Sequence, residues 1–163
     1  MEYVIDTSVL LQGGELPPGE TWVTTPEADN EISPGGRNAR KWATWKEIGL
    51  HVVSASPEAL VRVRGVARAA GNENRLSAAD CSLLALAWER RATILSDDLT
   101  ILDVARRMRV IGKPVHGKGI SGTIAWESRC SGCGRQMDND GPKECQICGS
   151  PVRRVPKTGG RSL

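Results

Sequence analysis

Two groups of residues in this 163-residue chain have types and spacings suited to chemistry. The first is a set of acids: Asp6, Glu31, Asp80 and the pair Asp97-Asp98. Asp6 ends the apolar run Tyr3-Val4-Ile5. Glu31 follows Trp22-Val23-Thr24-Thr25 by a short turn. Asp80 stands in the first turn of the clearest helical pattern, and Asp97-Asp98 follow Ala92-Thr93-Ile94-Leu95. Carboxylates brought together repel one another, and a divalent cation relieves the repulsion. Hard oxygen donors select Mg²⁺ or Mn²⁺ over zinc. One or two such ions can activate water and stabilise the leaving oxygen of a phosphodiester, so the expected chemistry is metal-dependent in-line hydrolysis. Each acid alone also has a structural reading. Ser77-Ala-Ala-Asp80 has the form of a capping box, Asp97 or Asp98 can cap a helix from Leu99, and Asp6 can cap the segment after it.

The second group is Cys130-Ser-Gly-Cys133 and Cys145-Gln-Ile-Cys148, two pairs eleven residues apart, each followed by a glycine, Gly134 or Gly149. Four thiolates at this spacing suit one tetrahedral structural Zn²⁺ and leave no position for water. So small a module has little core of its own, and metal binding is expected to supply most of its stability. The fifth cysteine, Cys81, is expected to be a small buried residue. Trp126, Arg129, Arg135, Lys143, Arg153 and Arg154 surround the cysteine pairs. They suit stacking on and tracking of single-stranded RNA, with packing of Trp126 as the alternative. Arg37, Arg40, Lys41 and Lys46 interleave with Trp42 and Trp45, either as an RNA-contacting flap or as an amphipathic helix packing its tryptophans. His51 and His116 have no partner at ligand spacing.

Positioning the acids requires strands that alternate with helices. Strands are expected at Tyr3–Ile5, Trp22–Thr25, His51–Val53 and Ala92–Leu95. A fifth is expected from Val110-Ile111 and Pro114-Val115, with Gly112-Lys113 between them. Helices are expected from Glu58 after the Ser56-Pro57 cap, over Ala78–Arg91 and over Leu99–Met108, while Ser33–Asn38 opens a loop or insertion. Alternation of this kind implies an α/β fold, a doubly wound parallel sheet with helices on both faces, whose strand carboxyl ends share one rim. The expected organisation is a nuclease-like domain over 1–115, a glycine-rich linker over 116–125, a four-cysteine zinc ribbon over 126–154 and a basic tail over 155–163.

Composition agrees with a folded chain: 25% charged and 39% hydrophobic residues are incompatible with general disorder. Residues 1–120 hold 15 Lys+Arg against 15 Asp+Glu, so the net charge of +3 arises beyond them. The last twelve residues carry Arg153, Arg154, Lys157 and Arg161 and no acid, a pointer to nucleic acid. The absence of a long apolar run and of a basic, cleavable leader points away from membranes and towards the cytoplasm. No G-x-x-x-x-G-K-[ST] occurs, which excludes a P-loop ATPase, and no Asp-x-Asp follows the first strand, which disfavours an aspartyl-phosphate phosphatase.

In order along the chain, Val4-Ile5-Asp6-Thr7-Ser8, Thr25-Pro26-Glu27 leading to Glu31, Leu76-Ser77-Ala78-Ala79-Asp80 and Ile94-Leu95-Ser96-Asp97-Asp98 resemble the motifs of PIN-domain nucleases. The resemblance covers residues 1 to about 115. It implies RNA cleavage with Mg²⁺ or Mn²⁺ held by acids, with Asp6, Asp80 and Asp98 as metal ligands and Glu31 as a ligand or water orienter. The hydroxyl-x-Asp form of the last motif favours Asp98 over Asp97. Glu27 and Asp29 stand near Glu31, which is preferred because Ile32 follows it and its spacing from Thr25 fits. Thr7 and Ser8 match hydroxyl positions that orient the first acid or metal-bound water. A PIN domain followed by a Gly-Ile linker, a Trp and a four-cysteine ribbon resembles the archaeal Nob-type endonucleases, over nearly the whole chain to about Arg154. That resemblance implies maturation of the 3′ end of small-subunit ribosomal RNA within a precursor ribosome particle. A non-catalytic RNA-binding assembly factor and a PIN-type toxin ribonuclease are the other readings. The full acid set weighs against the first and the ribbon against the second.

Overall fold

The structure, a computed structural model, describes residues 1–13, 16, 18–116, 126–137 and 143–157. The chain divides into two compact units, Met1–Ile120 and Ser121–Leu163. In the first, five strands form one parallel sheet: β1 (Glu2–Ile5), β2 (Thr21–Thr24), β3 (Leu50–Val52), β4 (Thr93–Leu95) and β5 (Gly112–Lys113), in the order β3-β2-β1-β4-β5. Six helices connect them: α1 (Thr7–Leu11), α2 (Pro26–Asn30), α3 (Gly36–Glu47), α4 (Pro57–Ala69), α5 (Ala78–Glu89) and α6 (Leu99–Arg107).

Side chains alternate across the sheet with a period of two, so β1, β2 and β4 each feed two cores. Val4, Val23 and Ile94 join the cluster packed by Ala59 and Val63 of α4, by Leu83, Leu84 and Leu86 of α5, and by Ile101 of α6. Tyr3, Ile5, Leu50 and Leu95 face the other way, onto Val9 and Leu10 of α1 and Trp42 of α3. Helix α5 is buried almost all round, each large side chain contributing roughly 1.5–3 kcal/mol of transfer free energy. Cys81 belongs to this core, and desolvation pushes its thiol above its ordinary pKa. Central placement of α5 fixes Asp80, at its first turn, against the sheet rim.

Two elements depart from the sequence expectation. The fifth strand is confined to Gly112-Lys113, the pair between the two dipeptides expected to form it. A Cβ at position 112 would come within 2.8 Å of Leu102 Cδ2, so close packing against α6 selects glycine there. Helix α3 begins at Gly36, inside the Ser33–Asn38 stretch expected as a loop, and the basic segment with its two tryptophans takes the amphipathic-helix form of its two readings. Trp42 is buried and donates Nε1–H to Asp29 Oδ1 at 2.5 Å, while Trp45 meets Trp22 edge-on at 6.4 Å. The tryptophans of this segment therefore pack the fold.

Helix ends show a contrast. Beyond α1, α3 and α4 the chain passes through left-handed glycines, Gly13 (φ 88), Gly49 (φ 119) and Gly71 (φ 65). Beyond α5 and α6 the same position falls to Arg91 (φ 53) and Arg109 (φ 60), a conformation that costs a side-chain-bearing residue roughly 1 kcal/mol or more.

The second unit contains an antiparallel sheet of β6 (Trp126–Cys130), β7 (Gln136–Met137) and β8 (Val152–Pro156), in the order β7-β6-β8. Strand β8 continues through Val155 and Pro156, which the sequence places in a flexible tail. Except for His116, the expected linker over 116–125 lies outside the described residues, as does the tail beyond Lys157. Among the described residues no helix is long and apolar enough to cross a membrane.

Candidate active site

The strand order reverses at β1, so the crevice at the carboxyl ends of β1 and β4 is the topological switch point where doubly wound sheets place their ligands. Asp6 leaves β1 into this crevice. It caps α1, with Ser8 N–H donating to Oδ1 at 3.2 Å, and Ser96 at the end of β4 donates its hydroxyl to Oδ2 at 2.7 Å. Ser96 in turn accepts the N–H of Asp98 at 3.1 Å, and Asp98 Oδ1 accepts Thr100 N–H at 2.6 Å as the cap of α6. One hydrogen-bonded chain thus ties the last acid to the first.

Asp80 enters from α5. Its Oδ2 accepts the N–H of Ser77 at 2.7 Å, and Ser77 Oγ accepts the N–H of Asp80 at 3.1 Å, a complete capping box. The Ser77 hydroxyl also donates to Glu31 Oε1 at 3.4 Å, which brings the residue after α2 to the same rim. Thr25 and Ser82, bonded at 2.6 Å, fasten the end of β2 to α5 beneath it. The capping and catalytic readings of these acids are therefore not alternatives. A cap bond engages one oxygen of Asp80 and of Asp98, and it holds that carboxylate in a fixed direction.

The electrostatics express the crowding. Burial first, then the Asp80 charge, with a smaller contribution from Asp6, raises the pKa of Glu31. Burial also raises that of Asp80, against the Ser77 bonds and with help from Asp6 and Asp98. Four like charges feel one another, and among the described residues no ion pair neutralises any of the four. The donor set is all carboxylate, which fits a hard divalent cation. A raised folded-state pKa means that ionising these acids costs stability as pH climbs from the unfolded value through the folded one. Glu31→Gln is therefore expected to raise the Tm of zinc-loaded protein at pH 7 by roughly 1–2 °C when no further metal is added. The difference should vanish near pH 4, and added Mn²⁺ should stabilise wild type more than the variant. Differential scanning fluorimetry across pH measures all three.

In the second unit, Sγ atoms of Cys130, Cys133, Cys145 and Cys148 all lie within 4.8 Å of one another. The two knuckles repeat one geometry. Cys130 N–H donates to Arg135 O and Gly134 N–H to Cys130 O, as Cys145 N–H donates to Ser150 O and Gly149 N–H to Cys145 O. Gly134 (φ 69) and Gly149 (φ 71) make the left-handed turns, and a Cβ on Gly132 would collide with Ser150 Oγ. The Ser150 N–H and hydroxyl lower the Cys148 thiol to about 6, whereas, against the lowering bond of the Arg135 N–H, the neighbouring sulfurs raise that of Cys133 to about 11. Four converging sulfurs of this kind could hold a metal ion.

A family model described as the PIN domain of ribonuclease matches residues 3–89, a span that contains Asp6, Glu31 and Asp80. The chain is 33% identical over 158 residues to the endoribonuclease Nob1 of Pyrococcus abyssi, covering 96% of this chain and 95% of that one. It is 28% identical over 167 residues to the endoribonuclease Nob1 of Archaeoglobus fulgidus, covering 98% and 95%. The ribonuclease VapC1 of Thermoplasma acidophilum is 38% identical over 106 residues, 64% of this chain and 54% of its own. The chain belongs to the Nob1 family of PIN-domain endoribonucleases.

Within this PIN domain the structure brings Asp6, Glu31, Asp80 and Asp98 together and directs their neighbours elsewhere. Asp97 points away from the cluster: its Oδ1 accepts the N–H groups of Val115 and His116 at 2.8 and 2.9 Å, and its Oδ2 meets His116 Nδ1 at 2.8 Å. These bonds are consistent with the preference for Asp98 over Asp97, and His116, which has no partner at ligand spacing in the sequence, has one in Asp97. Lys46 and Trp42 hold Asp29 below the ordinary carboxylate pKa despite its desolvation, and Glu27 is exposed. The hydroxyl on Asp6 comes from Ser96, whereas Ser8 contributes its main-chain N–H and Thr7 starts α1. Ser96 was visible as the hydroxyl of Ser96-x-Asp98, but its bond to Asp6 depends on β1 and β4 being neighbours. The second hydroxyl, on Ser77, was legible only as a cap.

Of the expected RNA-contacting residues, Arg37 lines a cavity of about 370 Å³ with Glu31, Ile32, Gly35 and Gly36. Lys41 Nζ donates to Leu11 O at 3.3 Å and so ties α3 to α1. On the ribbon, the Arg154 guanidinium lies 5.4 Å from the Trp126 ring centroid. Arg129 and Arg153 are direct cross-strand neighbours, and Glu127, bonded to Arg129, tempers their repulsion. Arg135 is exposed beside the first knuckle.

Proposed function

We propose that the chain hydrolyses a phosphodiester at the 3′ end of precursor small-subunit ribosomal RNA, in the cytoplasm and on the precursor ribosome particle. The observation that carries this reading is the convergence of Asp6, Glu31, Asp80 and Asp98 at the switch-point crevice of a Nob1-family PIN domain. Asp6, Asp80 and Asp98 would hold Mn²⁺ or Mg²⁺, with Glu31 as a ligand or water orienter. The bound ion supplies activated water and charge neutralisation at the phosphate. The chain's own residues do the positioning. Ser96 fixes Asp6 against Asp98, the capping box fixes Asp80, and Ser77 steers Glu31. Capping bonds made by rigid helices hold the carboxylates in place before substrate arrives, which lowers the reorganisation cost of the reaction.

The four-cysteine module would hold one Zn²⁺ and track RNA through Trp126, Arg129, Arg135, Arg153 and Arg154, while Arg37 and Lys41 contact the strand beside Glu31. An organisation of PIN domain over 1–115, linker, and ribbon from 126 separates cutting from recognition. The test is Mn²⁺-dependent cleavage of a small-subunit RNA fragment that spans the precursor 3′ end. One discrete cut at the mature end is the expected result. Scattered cleavage, or a cut equally frequent in unrelated RNA, would refute the substrate assignment.

A further inference from the structure

The sheet has a second rim, at the amino-terminal ends of β4 and β5. There a groove of about 760 Å³ opens among Arg62, Trp88, Arg91, Met108, Arg109 and Ile111. Three of these are arginines. The Arg62 guanidinium lies 4.6 Å over the Trp88 ring. Arg91 and Arg109 are exposed, and neither makes an ion pair among the described residues. Nearby arginines are engaged: Arg90 with Glu2, Arg107 with Asp103, and Arg68 with Glu73. The acid in the lining, Glu89, accepts the N–H of Ser56 at 2.9 Å. The groove is thus cationic, with Arg62 seated on Trp88 and with Arg91 and Arg109 outside every ion pair among the described residues.

Arg91 and Arg109 also occupy the two left-handed positions that this chain fills with glycine after α1, α3 and α4. Glycine would be the conformationally easy choice after α5 and α6 as well. Instead both positions carry a long cation, and both cations enter one groove. Backbone strain retained at two converging positions is the pattern of a binding site.

We propose that this groove is a second RNA-binding surface, on the rim opposite the acids, which grips the phosphodiester backbone of single-stranded RNA with Arg91 and Arg109. The planar guanidinium of Arg62, seated on Trp88, offers a base its stacking surface. The inference rests on the chain acting on RNA. A strand held here lies roughly a strand's length, on the order of 10 Å, from the acid cluster, so the groove serves RNA flanking the cut.

The experiment is RNA binding against salt, in an Asp6→Asn background so that the probe stays intact. The probe is a single-stranded RNA of mixed sequence. Arg91→Gly/Arg109→Gly is expected to leave the Tm unchanged or higher, because it relaxes the backbone. It should weaken binding several-fold and reduce the slope of log K on log[salt] by about 1.4, the value for two phosphate contacts on a single strand. Arg91→Lys/Arg109→Lys should restore the slope, as charge is retained. An unchanged slope in the glycine variant overturns the proposal, as does a slope lost equally in the lysine variant. Arginine-dependent binding of a nucleoside triphosphate with no change for RNA would also overturn it, by assigning the groove to free nucleotide. Because cleavage is silent in this background, failure here is distinct from failure of the nuclease reading, which the cleavage assay reports.

Discussion

Asp6→Asn is expected to lower the rate of RNA cleavage on the order of 10³-fold while leaving RNA affinity within several-fold. Asp6 is buried to 8% exposure at the switch point, and both of its oxygens are engaged, one by Ser8 N–H and one by the Ser96 hydroxyl. Asparagine is isosteric and keeps an oxygen for the α1 cap, so the fold is retained. What is lost is the negative charge at the centre of the cluster that Glu31 and Asp80 both sense. Single-turnover cleavage and equilibrium binding on the same RNA separate the two effects. A variant that cuts at the wild-type rate would remove Asp6 from the site. Ser96→Ala should fall between the two, because it frees Asp6 from Asp98 without changing charge. Its rate should recover in part at high Mn²⁺, where occupancy no longer depends on a pre-set geometry.

Much of this site was legible because Asp6 and Asp98 follow strands and Asp80 opens a helix. A carboxylate after an apolar run lies at the carboxyl rim of a parallel sheet, whatever the details of the fold. That is why Asp6, Asp80 and Asp98 could be placed together without coordinates. The rest was hidden by contacts across the chain. Asp97 and Asp98 are alike in type, and the hydroxyl-x-Asp form that favours Asp98 gives no sign of what Asp97 does, which is to bind Val115 and His116. The flanking dipeptides signal the fifth strand, but its confinement to Gly112-Lys113 is not legible, because the glycine answers to Leu102 of α6 and not to any local pattern. The basic groove had no sequence signal at all. Arg91 and Arg109 are eighteen residues apart in the numbering and ordinary in type. Only their backbone conformation, set against the glycines that end other helices, distinguishes them.

The second large effect expected concerns the ribbon. Among its described residues, the buried ones are Cys130, Cys145, Glu127 and Ser128, so no aliphatic or aromatic core holds β6, β7 and β8 together. The short β7 and the two five-residue strands beside it cannot be stable on hydrogen bonds alone. Structural zinc contributes on the order of 10–16 kcal/mol in comparable small modules, and here it would contribute essentially the whole stability of the fold. Cys145→Ser should therefore reduce bound zinc from about one per chain to near zero and abolish amide protection across β6 and β8. The parallel sheet has its own two apolar cores and should keep protection in β1 and β4. Hydrogen exchange resolved by segment, with metal analysis on the same sample, reads both outcomes. Protection that persists in β6 and β8 without zinc would show that the ribbon draws its stability from something other than its cysteines. If the ribbon recognises RNA as proposed, the same variant should bind RNA roughly tenfold more weakly, since Arg129 and Arg153 lose the sheet register that sets them side by side and Arg154 loses its place on the other face beside Trp126.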